Sequence, residues 1–399
     1  MSDSEATKSR AGDADAARKR NSGENSFEAR ELQARIDFPR GDEFALRLSF
    51  QTKGPAPILG VYGASGAGKT TLLHLWAGLL TPRSGTLRHG SRVLFARGDE
   101  RSEARATIRG PEAFPINLSP AARRVGYVFQ EARIFPHLSA GQNVLYGTPA
   151  RGSGGPAPPQ FSPERLKAVL GLNEVWNRPG NQLSGGQQKR VAIARALASR
   201  PELLLCDEAG GNLDAESRAA FMELMRDLPA GTRAIYVSHD LAELSRLTDE
   251  ILVLDRGGLL YHGAPADLSG ATDALDLFAR AGGAPPLVLR RDQMRTSVAS
   301  SEIRISDPYL SAPDHTVFVI DAAHIHLAAK APEALTGFPD RWPGRLLDFV
   351  EVAGAPCVRV SFFDQGPECV VPLGEPGEQA SAWRIGDALL GFIHPGALL

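Results

Sequence analysis

The chain has 399 residues, enough for two or three domains and a sizeable core, and its 43% apolar and 23% charged content is that of a globular protein. Forty-four basic against 46 acidic residues exclude a protein built to coat nucleic acid. Three scattered cysteines (Cys206, Cys357, Cys369) exclude a disulfide framework or zinc centre and point to a reducing, cytoplasmic compartment.

Residues 1–34 are polar and charged and read as a disordered tail, not a signal peptide. No run of about 20 apolar residues follows anywhere, so no segment is expected to span a bilayer. Residues 44–50 alternate apolar and polar and predict a strand. Ile58–Tyr62 is a short apolar strand entering a glycine loop, and a helix is predicted over 70–80, ended by Thr81-Pro82. Strands at 93–95 and 125–129 flank a charged surface excursion over 97–119. From Gln130 to about Ala198 the pattern is helical, broken by a Gly/Pro-rich stretch at 148–163 expected to be an exposed loop. Buried parallel-type strands are expected at 203–206, 234–237 and 251–254, with Cys206 a small core residue. A turn at Arg256–Gly258 then leads to a hairpin strand at 259–261. Beyond a Gly/Pro shift at 281–286 lie only short β-rich runs, at 316–320, 325–327, 346–352, 357–363 and 388–393, which predict a small barrel-like β domain.

Gly63-Ala64-Ser65-Gly66-Ala67-Gly68-Lys69-Thr70-Thr71 has the phosphate-loop spacing, with a strand before it and a helix after it. Its glycines let backbone wrap phosphate oxygens. Lys69 would reach the β- and γ-phosphates, and Thr70 would offer a hydroxyl to Mg2+. A second glycine-rich run, Leu183-Ser184-Gly185-Gly186-Gln187, also opens a helix and so offers N–H groups to an anion. Two such helix starts on one domain suggest two copies closing face to face over shared nucleotides. Strand 203–206 runs into Asp207 and Glu208. Two acids at a strand end are by themselves often a solvated terminus. Beside a phosphate loop, Asp207 can hold the Mg2+ shell and Glu208 can orient or deprotonate water. Gln130 follows a strand, and a carboxamide bonds both Mg2+ and water. His239 stands at the carboxyl end of a parallel-type strand, where ligands gather in α/β sheets, although a lone histidine is more often structural. Asp214 fits a helix N-cap.

Leu183–Arg195 resembles, residue for residue, the signature sequence of ATP-binding cassette (ABC) ATPases, and the motifs keep that family's order from about Ile36 to Gly263. The resemblance implies an α/β P-loop NTPase fold over residues 35–275: a RecA-like core, a helical subdomain at about 131–195 and an antiparallel β part. It implies ATP and Mg2+ as nucleotide and metal. Gln130 would be the hinge glutamine, His239 the γ-phosphate switch, and Asp214 part of the loop that communicates across a dimer, alongside its N-cap role. An aromatic from the first strands would stack on adenine, Phe44 ahead of Phe38. Relatives usually carry Pro after the glutamate. Here Ala209 follows Glu208, so a looser turn with intact chemistry is expected.

Within the family, Arg124–Ser139 followed by Asn143–Gly147 looks like the molybdate-importer ATPase subunits, and residues 284–399 resemble their appended OB-like (TOBE/Mop) domain. This implies a homodimer beneath integral membrane permease subunits on the cytoplasmic membrane face, fed by an extracytoplasmic oxyanion-binding protein and binding no nucleic acid. ATP would close the dimer and hydrolysis reopen it. Ser184 and Gly186 of one chain would touch the γ-phosphate held by Lys69 of the other. The segment 131–180 would receive the permease's coupling helix. An ATPase for sulfate, iron or polyamine import shares every motif; residues 130–147 and the short β tail disfavour it. A DNA-repair or translation ATPase of the family usually carries coiled-coil insertions or two cassettes, and this sequence has neither. In some relatives the β domain binds the oxyanion itself. The corresponding stretch here is Gly337–Gly344, where Pro339 has no N–H and Asp340 opposes an anion, leaving Arg341 and Arg345 as donors. A structural or dimer-contact domain without a tight oxyanion site is expected.

Overall fold

The computed structural model describes residues 31–41, 44–52, 57–98, 115–149, 158–211 and 213–270, together with seven strands between 287 and 393. Most of the tail (1–30), the centre of the charged excursion (99–114), the centre of the Gly/Pro-rich stretch (150–157), the shift at 281–286 and residues 337–339 lie outside the described residues.

In chain order the strands are β1 (Leu32–Arg40), β2 (Phe44–Gln51), β3 (Ile58–Gly63), β4 (Ser84–His89), β5 (Arg92–Arg97), β6 (Ile116–Asn117), β7 (Val125–Val128), β8 (Leu203–Asp207), β9 (Arg233–Val237), β10 (Glu250–Asp255) and β11 (Gly258–Gly263). After them come β12 (Leu287–Arg290), β13 (Val317–Ile320), β14 (Ile325–Ala328), β15 (Asp340–Val352), β16 (Ala355–Phe362), β17 (Glu368–Pro372) and β18 (Ala388–Ile393). The helices are α1 (Lys69–Ala77), α2 (Ala140–Tyr146), α3 (Pro163–Val169), α4 (Gly185–Ala198), α5 (Ala215–Arg226) and α6 (Leu241–Leu247). Among the described residues no helix is long and apolar enough to cross a membrane.

The chain forms two compact units. One comprises residues up to 57, 68–236 and 256–258; the other comprises 58–67, 237–255 and 259 onward. In the first unit β1 pairs antiparallel with both β2 and β4, and β5 extends this sheet to the two-residue β6. Leu32, Ala34 and Ile36 on β1, and Leu46, Leu48 and Phe50 on β2, alternate with outward-facing residues, so one face is core and the other wet. β7 and β8 pair in parallel, and every residue of β8 and β9 is buried, which is why these strands read as unbroken apolar runs. Cys206 is fully buried there. β1 starts inside the span read as tail, and β6 lies inside the stretch read as excursion.

Two helical expectations need correcting. α1 stops at Ala77, not Leu80. Gly78 is left-handed (φ 77°), and the Leu79 N–H bonds the His74 carbonyl at 2.9 Å, which is a glycine-terminated helix end. The stretch from Gln130 to Ala198 is not continuously helical: only α2, α3 and α4 are α-helical, because Pro136, Gly171 and Pro179 interrupt it. The end of the Gly/Pro-rich stretch is not an exposed loop either. Pro159–Phe161 is a 3-10 turn and Phe161 is buried, next to the Ser162 cap of α3.

In the second unit β3 and β10 pair in parallel from Leu59–Glu250 to Gly63–Leu254. β10 turns into β11 through Arg256 and Gly257, both at positive φ, as a two-residue hairpin turn requires. β12 and β13 form an antiparallel pair. The remaining five strands make an antiparallel sheet in the order β14-β18-β15-β16-β17, the strand count of an OB-like fold. Trp342, Leu346, Val360 and Phe362 are buried in it, with Trp342 edge-on to Phe362 at 6.3 Å.

Candidate functional site

In the first unit the site starts where α1 leaves its glycine cap. Gly68 has φ 104°, and a Cβ there would stand 2.9 Å from Leu46 Cδ1 and 3.0 Å from Phe44 Cζ, so a side chain is excluded both sterically and conformationally. No side chain caps α1, and a helix start of this kind can offer backbone N–H groups to an anion. Lys69 opens the helix. Burial lowers its pKa, while Glu208 and Asp207 act in the opposite sense.

Asp207 ends β8 at 4% exposure. Burial raises its pKa, and a hydrogen bond from the Thr70 hydroxyl is the largest effect opposing that rise. Glu208, the next residue, has φ 46°, a left-handed conformation uncommon outside glycine. The turn after it is closed by Gly211 N–H to the Glu208 carbonyl at 3.1 Å, with Ala209 buried. Gln130 Nε2 donates to Glu208 Oε2 at 3.2 Å. Lys69, Thr70, Asp207, Glu208 and Gln130 therefore converge. Thr70, Asp207 and Gln130 supply a hydroxyl, a carboxylate and an amide oxygen. This sparse, hard oxygen set suits Mg2+, which keeps several waters and takes substrate phosphates. No group of three or more His, Cys, Asp or Glu able to hold a metal occurs among the described residues.

Phe44 is half-buried against Gly68, whereas Phe38 sits across from Leu46 on β1. α4 begins with a capping box: Ser184 Oγ accepts from Gln187 N–H at 3.3 Å, and Gln187 Oε1 accepts from Ser184 N–H at 3.0 Å. Accepting leaves the Ser184 hydroxyl proton to donate elsewhere. Asp214 is the N-cap of α5, and hydrogen bonds from the Ser217 backbone and hydroxyl hold its pKa below the ordinary value.

The second unit holds the first half of the phosphate loop. A Cβ on Gly63 would collide with the Leu254 carbonyl, and Ala67 N–H bonds Ala64 O at 3.2 Å. It also holds His239, exposed between β9 and α6. Ser238 Oγ donates to Glu243 Oε2 (2.7 Å) and accepts from Asp240 N–H (3.0 Å), while Asp240 caps α6 by accepting from Glu243 N–H (3.0 Å). These bonds pin the backbone on both sides of His239.

The sequence reading missed several residues. Arg123, 1% exposed, donates to the Leu75 and Trp76 carbonyls at the end of α1. Tyr127 and Phe129 stack at 3.9 Å, with the Arg133 guanidinium 4.6 Å over Phe129. Lys189 was the one with a signal. It shares helical spacing with Ala192, Ile193 and Ala196, all buried, so it belongs to the core face of α4.

The ABC transporter family profile matches residues 47–210. A molybdenum import ATP-binding protein, ModC, of Brucella abortus (strain 2308) is 35% identical over 306 residues, 74% of this chain and 78% of that one. The ModC of Mesorhizobium japonicum is 30% identical over 368 residues, 89% and 93% of the two chains. Among solved structures, a bacterial Atm1-family ABC exporter with ATP bound aligns at TM-score 0.50 and 22% identity, over 64% of this chain and 43% of that one, a likeness of fold alone.

Proposed function

The chain belongs to the ABC transporter family, and on that premise we propose that it is the ATP-hydrolysing subunit of a molybdate importer. The observation that carries the hydrolytic part is the Gln130–Glu208 contact beside Lys69 and the Thr70–Asp207 pair. The molybdate part is supported by the ModC relatives, which match across most of the chain.

Lys69 and the N–H groups of 63–71 bind the ATP phosphates, and Phe44 stacks on adenine. Thr70, Asp207 and Gln130 would hold Mg2+, which when bound neutralises phosphate charge. Glu208 orients the attacking water and accepts its proton, and the Gln130 amide fixes the carboxylate's direction. His239 holds the γ-phosphate in place. Ser184, Gly185, Gly186 and Gln187 of a second copy complete the site, and Asp214 faces that copy. A homodimer, closed by ATP and reopened by hydrolysis, then drives permease subunits at the cytoplasmic membrane face. Residues 35–275 act as the motor domain and 284–399 as an accessory domain.

The test has two arms. On a sizing column with ATP, Glu208→Gln should run as a dimer, and Ser184→Arg added to it should return the chain to monomer. A dimer that persists in this double variant would refute the two-chain site. Reconstituted with its permease, ATP turnover should rise with a molybdate-loaded binding protein; stimulation by sulfate alone would refute molybdate.

A further inference from the structure

Two cations of α4 reach back onto the segment that carries Gln130. Lys189 is 3% exposed, and its Nζ donates to the carbonyls of Phe129 (2.8 Å) and Gln130 (2.9 Å). Farther along α4, Arg195 donates to the Arg133 carbonyl at 2.8 Å, and its guanidinium lies 5.3 Å from the Phe135 ring centre. The Phe129 and Gln130 carbonyls belong to the two peptide planes flanking the Gln130 Cα. One ammonium group therefore clamps both, fixing the backbone that aims the Gln130 side chain at Glu208.

A buried ammonium is costly, and an apolar side chain of the same length would fill the space without that cost. Burial does lower the pKa of Lys189, while Cys206, Asp207 and Glu208 act the other way. The cation is thus felt by both carboxylates of the hydrolytic site. It also stands four residues past Gly185 on one continuous helix, about 6 Å along its axis. The helix start and Lys189 therefore belong to one element.

We propose that Lys189 is a positioning residue that ties the signature helix to the Gln130 hinge, so that seating α4's N-terminus on a nucleotide sets where the Gln130 carboxamide stands against Glu208. This rests on the reading of Gln130 and Glu208 as parts of the hydrolytic site. It makes the engagement of one helix start and the alignment of the water-orienting groups a single event in each chain.

Two substitutions in the full chain test it: Lys189→Met, which keeps length and removes donors and charge, and Lys189→Arg, which restores them. Without nucleotide, amide hydrogen exchange at residues 129–134 should rise in Lys189→Met and return in Lys189→Arg, with the rest of the core protected as in the parent. An unchanged hinge in a folded Lys189→Met overturns the tie. In steady-state ATP hydrolysis, Lys189→Met should lower kcat about tenfold to a hundredfold with KM unchanged. In a Gln130→Ala background it should cost nothing more, and independent, additive losses would overturn the proposal. If Lys189→Met does not fold, Lys189→Gln carries the same readouts. A Gln130→Ala chain with full turnover would sink the hydrolytic reading instead, and hydrogen exchange would still judge the tie.

Discussion

Asp207 works against the fold it sits in. Its ordinary pKa is 3.8, and burial raises it in the folded chain, against the pull of the Thr70 hydroxyl, His74 and Lys69. An acid whose pKa rises on folding stabilises the fold while protonated, and that contribution is lost as pH climbs through the folded value. Above that folded value the ionised carboxylate is therefore a net cost. Asp207→Asn should raise the Tm of the nucleotide-free chain at pH 7, by a margin that shrinks toward pH 4, while abolishing Mg2+-dependent turnover. A lower Tm at pH 7 would mean that the Thr70 hydrogen bond, with His74 and Lys69, outweighs burial. Glu208→Gln should keep ATP affinity and lose about 10²- to 10⁴-fold in kcat, the usual weight of a general base; near-normal turnover would remove Glu208 from that role. These residues were legible because phosphate chemistry demands particular side chains at fixed spacing. Arg123 was not, because its partners are backbone carbonyls, which a sequence does not distinguish; for Lys189 helical spacing signals burial, but its carbonyl partners stay hidden for the same reason.

The helix starts are where fold and chemistry share atoms. Ser184 closes the capping box of α4 while standing at the position read as an anion contact. Ser184→Ala should cost about 1 kcal/mol in denaturant unfolding, the typical effect of a lost N-cap. A cost near zero would show that the box adds nothing to the fold. Where the elements differ from expectation, the sequence carries the stop signal. Gly78 ends α1 before Thr81-Pro82 is reached, and Pro136 and Pro179 cut the long helical pattern. Phe161 is the instructive case: one aromatic among Gly and Pro looks like loop, yet it is 3% exposed beside the cap of α3. Phe161→Ala should cost about 3–5 kcal/mol, as for other buried aromatics. Replacing 150–157 by a short Gly/Ser linker should change stability by less than about 1 kcal/mol. Equal losses from the two changes would place the missing packing in the linker.

At the scale of the whole chain, legibility followed how strongly burial constrains each strand. β8, β9 and β10 are covered on both faces and read as unbroken apolar runs, while β6, two residues long, carried no pattern to find. In the C-terminal sheet the runs at 346–352 and 357–363 fall largely within β15 and β16. β15 starts six residues earlier, at Asp340, so the stretch Gly337–Gly344 lies partly inside it, and β12 and β17 match no expected run. Trp342, Leu346, Val358 and Val360 are buried, and Arg345 is exposed. That exposure bears on whether this part of the chain senses oxyanion. A tight site needs several converging donors shielded from water. In Asp340–Arg345, the first six residues of β15, Asp340 adds a negative charge, Pro343 lacks an N–H, Trp342 turns inward and Arg345 lies in solvent. Titration of the full chain with molybdate or tungstate, without nucleotide, should therefore give no calorimetric signal at micromolar concentrations, and Arg341→Ala should change nothing. Micromolar binding that disappears in Arg341→Ala would make this sheet a feedback sensor, with Arg341 the donor that the reading undervalued.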